Sequence, residues 1–253
     1  MKLWVLLTFL CLPIYLEAQQ SLAPQASSAN DWTFTLSPTL GIPAFSGDTQ
    51  YGSLESLDVD VGLGDTLGNI RFWLDFAAEA FHRPSRFGVA ARYSYLSLEN
   101  SVNSPSRFFS FDADFERAQV ELVALYRVFD GASTADLYGG IRNTNISINS
   151  TGQDPAGFFV YDTNYDVLDP IIGLRIIPRI AETWSLLLQS DVGLGGDSDT
   201  NVSATVGALW QVEKSVALSF LYTANWFDYR DDSDGFLLDA VTHGPMFGFR
   251  FTF

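Results

Sequence analysis

The sequence predicts an all-β protein: a closed antiparallel transmembrane β-barrel of about 10 strands, with 8 or 12 as the alternatives. Three observations lead there. Apolar residues recur with a period of two over long segments. The chain carries 21 Phe, 10 Tyr and 6 Trp, yet beyond its first residues no stretch is apolar for long enough to cross a bilayer as a helix. The connections between segments alternate between short and long, as in barrels with tight turns on one side and loops on the other. A chain that enters lipid without a helix must still pair every backbone group, and a closed barrel does so.

Residues 1–18 read as a signal peptide to be cleaved. Lys2 supplies a positive charge, Leu3 to Leu12 is an almost unbroken apolar run, Pro13 ends it, and Ala18 offers a small residue before the cut. The run is too short for a membrane helix. Residues 19–30 form a short lead and 31–253 the barrel. Cys11, the single cysteine, falls in the segment to be removed. The mature chain therefore has no disulfide, thiolate metal site or cysteine nucleophile, which suits an oxidising compartment. Thr8-Phe9-Leu10 lack the small pair of a lipoprotein signal. The expected location is the outer membrane of a Gram-negative bacterium.

Ten alternating segments follow: 32–44, 70–82, 86–99, 109–128, 135–148, 162–177, 183–195, 200–212, 215–229 and 237–253. In the third, Phe87, Val89, Ala91, Tyr93 and Tyr95 share one face and Gly88, Ala90, Arg92 and Ser94 the other. The last ends Phe247, Phe249, Phe251, Phe253 against Gly248, Arg250 and Thr252. Short connections lie at 82–85, 130–133, 178–182 and 213–214; the longer or acidic ones are 45–69, 100–108, 149–161, 195–199 and 230–236. Both termini then fall on the periplasmic side. Leu57 to Leu63 could hold a further strand.

Charges within the segments oppose the apolar parity: Arg71, Asp75, Glu79, Arg92, Glu121, Arg127, Arg142, Asp169, Arg175, Asp191 and Arg250. Six are basic and five acidic, nearly neutral as a set. In a barrel this face is the lumen, and the signs predict a salt-bridged network, with the Phe, Leu and Val face towards lipid. Trp184, Trp210, Trp226, Tyr93, Tyr95 and Tyr126 at segment ends suit aromatic girdles and disfavour a soluble sandwich. Acidic residues outnumber basic ones 30 to 14, with no basic stripe for nucleic acid. The excess concentrates in the predicted external loops, at Asp58, Asp60, Asp65, Asp112, Asp114, Asp197, Asp199, Asp231, Asp232 and Asp234. Loop solvation accounts for it, and a divalent-cation bridge to lipopolysaccharide is the sharper reading.

Several motifs resemble a family of mostly uncharacterised small outer-membrane β-barrel proteins of proteobacteria. They are Leu67-Gly68-Asn69 through Leu74-Asp75-Phe76-Ala77, Tyr138-Gly139-Gly140-Ile141-Arg142, Asp169-Pro170-Ile171-Ile172-Gly173-Leu174-Arg175, Trp184 with Ser190-Asp191-Val192-Gly193, and His243 through Phe253. The ending Phe249, Phe251, Phe253 is also similar to the signal read by the outer-membrane assembly machinery. The resemblance implies fold and location, and brings no substrate; a barrel so placed has outer-membrane lipids and lipopolysaccharide as its expected partners.

Chemistry is sparse. His82 abuts Arg83-Pro84 in a predicted turn. His243 precedes Gly244-Pro245, where a proline in a strand suggests a bulge. Without one His243 faces lipid; with one it faces the lumen. Thr242 and Asp239 are the nearby groups a hydrolase would recruit. Gly62-Leu63-Gly64 lacks the βαβ context of a dinucleotide loop, and Asp232-Ser233-Asp234-Gly235 lacks the closing Glu of a calcium loop. No cofactor or metal is implied. The sequence thus points to a non-enzymatic barrel with a charged, largely plugged lumen and a membrane-structural, lipid-related or narrow small-solute role. The alternatives are a lipid or peptide hydrolase using His243, and an open small-solute channel.

Overall fold

The computed structural model describes residues 31–50, 57–62, 70–103, 110–154, 157–231, 233 and 235–253. The expected signal peptide and lead lie outside these residues, as do Leu63, Gly64, Asp65, Asp232 and Asp234. The regular structure described is all strand. β1 is Trp32–Gly41, β2 Ala44–Gln50, β3 Leu57–Val61, β4 Ile70–His82, β5 Phe87–Asn103 and β6 Ser110–Asp130. β7 is Thr134–Asp154, β8 Gly157–Ile177, β9 Trp184–Gly193, β10 Thr200–Glu213, β11 Val216–Asp231 and β12 Phe236–Thr252.

From β4 to β12 each strand pairs with the next, β1 pairs with β4, and β12 pairs back with β1, so the sheet closes. β2 continues β1 along β12 without a change of register: Gly41 faces Met246 and Ala44 faces His243. Pro245, which has no N–H to give the Ile42 carbonyl, accounts for the interruption between them. β3 is an extra strand paired to β2, inside the stretch where the sequence left room for one. Ten strands therefore close the barrel, one for each alternating segment. Phe253 and Phe34 exchange backbone bonds of 2.9 and 3.1 Å, and the Arg83 N–H donates to the Asp31 carbonyl at 2.8 Å. The two ends of the barrel sequence thus meet at the end that carries the short turns.

Two expected loops are largely sheet. β5 and β6 stay paired out to Asn103 and Ser110, and β7 and β8 out to Asp154 and Gly157. Asp112 and Asp114 accordingly lie on β6. Ser150-Thr151-Gly152-Gln153-Asp154 is polar on both faces, and a strand without an apolar face leaves no period to read. The bulge suggested at Pro245 is also absent, since β11 and β12 pair residue for residue from Thr242 to Met246. Pro245 keeps its place because its neighbour Ile42 donates its N–H to the Pro245 carbonyl at 3.0 Å. His243 therefore faces outward.

Side-chain polarity reverses along the barrel. Towards the short turns the outer face is apolar and exposed: Phe34, Phe87, Val89, Leu122, Leu137, Ile141, Ile172, Val206, Phe220, Phe247 and Phe249. The inner face there is mainly polar, with a small apolar cluster of Phe81, Leu125 and Tyr138. Farther out the pattern inverts. On β7 the outward series Leu137, Ile141 gives way to Asn143, Asn145 and Ser147, while the inward series Arg142, Thr144 gives way to buried Ile146. On β11, Asn225 and Thr223 face in below the level where Phe227 and Tyr229 do. That inversion is what a barrel half in lipid and half in water requires, since apolar side chains face out only where water is missing.

Closed barrels often keep their structure in detergent at room temperature. Boiled and unboiled samples of the purified protein should migrate differently on a gel, with strand-dominated circular dichroism. Identical migration together with a helical spectrum would overturn the architecture.

Candidate functional site

The inward side chains form layers across the lumen. Nearest the short turns, Arg175 of β8 reaches Glu79 of β4 at 2.6 Å and Asp136 of β7 at 2.7 Å. Arg127 shares Asp136 at 2.7 Å, with its guanidinium 4.0 Å from the centre of the Phe81 ring. Because β4 and β8 stand on different sides of the barrel, the Arg175–Glu79 pair crosses the interior. Arg250 enters the same region from β12 and has no hydrogen-bond or ion-pair partner among the described residues.

The next layer follows from register. Arg92 faces Glu121, Glu121 faces Arg142 and Arg142 faces Asp169 on successive strands β5 to β8, so charges alternate in sign around the wall. Arg142, only 1 % exposed, is the hub. Its Nε donates to Glu121 at 2.9 Å, Nη2 to Asp191 at 2.7 Å and Nη1 to the Asn201 amide oxygen at 2.9 Å. The Tyr138 hydroxyl donates to the other Asp191 oxygen at 2.9 Å. Arg92 pairs with Asp75 at 2.6 Å. Asp169 accepts from Asn201 at 2.7 Å and from the Ser198 hydroxyl at 2.9 Å, with no arginine partner. A planar guanidinium with several fixed donors suits such a hub better than a point charge.

Above this layer, buried Arg117 of β6 spans to Asn225 of β11 at 2.9 Å and Thr242 of β12 at 3.3 Å. Higher still the lumen is apolar. Phe45, Ile146, Tyr165, Val167, Phe227, Tyr229, Phe236 and Leu238 form one buried cluster. Tyr165 of β8 stacks on Phe236 of β12 at 4.2 Å, and Phe45 of β2 meets Phe115 of β6 at 5.3 Å, contacts made across the interior.

Of the charges named from the sequence, Asp75, Glu79, Arg92, Glu121, Arg127, Arg142, Arg175 and Asp191 form ion pairs with one another or with Asp136. Asp169 and Arg250 depart from the expected pairing, and the side chain of Arg71 lies outside the described residues. Asp136 and Arg117 were missed, although their parity matches that of Arg142 and Glu121. Asp136 was hidden by its place beside a turn, and Arg117 by its lack of an obvious partner in its own hairpin. The apolar cluster was missed because the aromatic face was read as facing lipid along the whole strand.

The groups a hydrolase would recruit are not assembled. Thr242 points into the lumen, on the opposite face from His243, and Asp239 lies four residues along the strand, about 13 Å away. The neighbour of His243 is the Tyr222 hydroxyl, 2.7 Å from Nδ1 on the outer face. His82 sits at the end of β4, its Nδ1 2.8 Å from the Ser85 hydroxyl. No group of three or more His, Cys, Asp or Glu among the described residues could hold a metal ion. Outside, near the far rim, Asp228, Asp239 and Asp48 face one another on β11, β12 and β2, and Asp58 of β3 is the register partner of Asp48.

Comparison with solved structures agrees with this architecture. The chain is similar to the outer membrane protease OmpT from Escherichia coli, with a TM-score of 0.56 at 11% identity over 87% of this chain and 97% of that one. It is similar as well to the translocator domain of the autotransporter NalP from Neisseria meningitidis, with a TM-score of 0.52 at 11% identity over 89% and 90%. The fold is that of an outer-membrane β-barrel. At these identities the likeness extends to the fold and no further. No family model matches the chain, and no curated protein matches it in sequence.

Breaking a buried ion pair strands the other charge, a loss of about 3–5 kcal/mol against less than about 1 kcal/mol for an exposed pair. Asp191→Ala removes an acceptor from both Arg142 and Tyr138, so its loss of stability in urea titration of the refolded barrel should fall in the upper range. An effect no larger than that of an exposed control such as Asp130→Ala would show that water already screens the layer.

Proposed function

We propose that this chain is an integral outer-membrane barrel of a Gram-negative bacterium, non-enzymatic, with a lumen held shut and a membrane-structural or lipid-related role. The observation that carries the reading is the series of contacts across the interior: Arg175 to Glu79, Arg117 to Asn225 and Thr242, and Tyr165 to Phe236. Side chains fill barrels of about eight strands, whereas 16–18 strands leave an aqueous channel. Ten strands with long arginines and aromatics reaching across fall near the filled limit. Membership of the proteobacterial family rests on the motifs quoted above. Cleavage after Ala18 accords with this location. The partners are the lipids around the apolar belt, with lipopolysaccharide on the outer side, and the assembly machinery during biogenesis.

Planar-bilayer recording tests the closed lumen against the open small-solute channel. Two closures in series mean that opening one leaves the other. The unmutated protein and Asp191→Ala should both stay near baseline, and conductance should rise when Asp191→Ala is combined with Tyr165→Ala and Phe236→Ala. Large, steady conductance from the unmutated protein would refute the proposal.

The assembly role of the C-terminus has its own test. The Phe253 side chain is 70% exposed, whereas its backbone holds β1 through bonds that a substitution leaves in place. Phe253→Ser should therefore reduce the amount reaching the outer membrane in cells while the refolded protein keeps its urea midpoint. Unchanged yield in the membrane would count against a signal at this position.

A further inference from the structure

Beneath the Arg142 layer the lumen holds a cavity of about 140 Å³. On the usual measure that is room for on the order of ten water-sized positions. Small residues make up part of its wall, between long ones such as Arg92, Arg175 and Arg250. Ala77 and Ala90 line it, and the residue facing Ser219 on β12 is Gly248, where a Cβ would lie 2.2 Å from the Pro38 carbonyl oxygen. No larger residue fits at that position without moving the strand.

Two polar groups on this cavity make no hydrogen bond among the described residues. The Ser219 hydroxyl, in a residue 4% exposed, makes no hydrogen bond. The Arg250 guanidinium makes no hydrogen bond or ion pair among the described residues, and the nearby carboxylates Glu79 and Asp136, whose charge it feels, are held at closer range by Arg175 and Arg127. For the buried Ser219 that omission is costly. The two groups are also close. Ala217 faces Arg250 and Ser219 faces Gly248, so Ser219 and Arg250 are diagonal neighbours on one face of adjacent strands, about 7 Å apart or less at Cβ.

We propose that this cavity is a binding site for a small anionic group, a phosphate or a carboxylate, held by the Arg250 guanidinium and the Ser219 hydroxyl. The guanidinium fork matches either group in a bidentate manner, and the hydroxyl supplies a third donor. An anion there supplies the hydrogen-bond partner that both residues lack. This goes beyond the closed-barrel reading, and it holds whether or not the lumen conducts. The group has two sources. A soluble anion enters from the end with the short turns, three residues from which Arg250 lies. A phospholipid phosphate reaches the same opening from the leaflet around that rim.

The purified protein in neutral detergent is titrated with inorganic phosphate, and separately mixed with phosphatidylglycerol. Thermal unfolding and native mass spectrometry are read for the unmutated chain, Arg250→Gln and Ser219→Ala. Ser219→Ala removes a hydroxyl that has no partner, so the fold loses nothing and any change reports the ligand. A charge-assisted hydrogen bond is worth about tenfold or more in affinity. Phosphate should raise the unfolding midpoint of the unmutated protein, with about tenfold weaker apparent affinity in Ser219→Ala and no response in Arg250→Gln; this outcome identifies a soluble anion. One phosphatidylglycerol retained per barrel, lost in Arg250→Gln, without a phosphate response, identifies a lipid headgroup. The site is overturned if neither probe registers on the unmutated protein, or if Ser219→Ala behaves like it towards both.

Discussion

Everything in this molecule depends on the closure of β12 onto β1. An open sheet in lipid would leave a row of backbone N–H and C=O groups with no water to satisfy them, at several kcal/mol each. Closure removes that edge, and it also divides space into an inside and an outside that every strand must respect. The register with which β1 and β2 run along β12 is continuous across Pro43 and Pro245, so the alternation of faces survives two residues that cannot donate. The weak points of the seam are therefore local.

Once the inside is separated from the outside, the solvent on each side dictates side-chain chemistry level by level. Around the lower barrel the outside is apolar, and charges can be placed only within. Their burial is tolerable because Arg92, Arg127, Arg142 and Arg175 meet carboxylates at hydrogen-bond distance and Arg142 uses three of its donors at once. Farther out water returns to the exterior. Asn145 and Asp166 then stand outside, and Ile146 and Val167 turn inward as they would in a soluble protein. The same two-residue period thus serves opposite purposes in the two halves of one strand.

Parity in the sequence was enough to assign most of the inward charges, because a period of two survives any packing arrangement. It could not assign partners. Arg175 pairs with Glu79 from four strands away around the wall, and Asp169 faces Arg142 in register yet is taken by Ser198 and Asn201. Like-charged neighbours are equally invisible one strand at a time. Asp228, Asp239 and Asp48 come from separate segments, and only the register sets these mutually unfavourable charges side by side.

By itself the sequence determined the all-β class, the ten strands that close, the side on which the short turns lie and the face on which Arg92, Glu121, Arg142 and Asp191 sit. These follow from local alternation and turn chemistry, which each segment carries alone. The tertiary structure decided that β5 to β8 extend well beyond the apolar belt, that aromatic residues meet across the upper lumen, that His243 is left with Tyr222, and that a cavity opens beside Ser219 and Arg250. Each of these depends on which residues meet across the barrel, and that is set by closure and register, properties of the whole sheet that no single strand encodes.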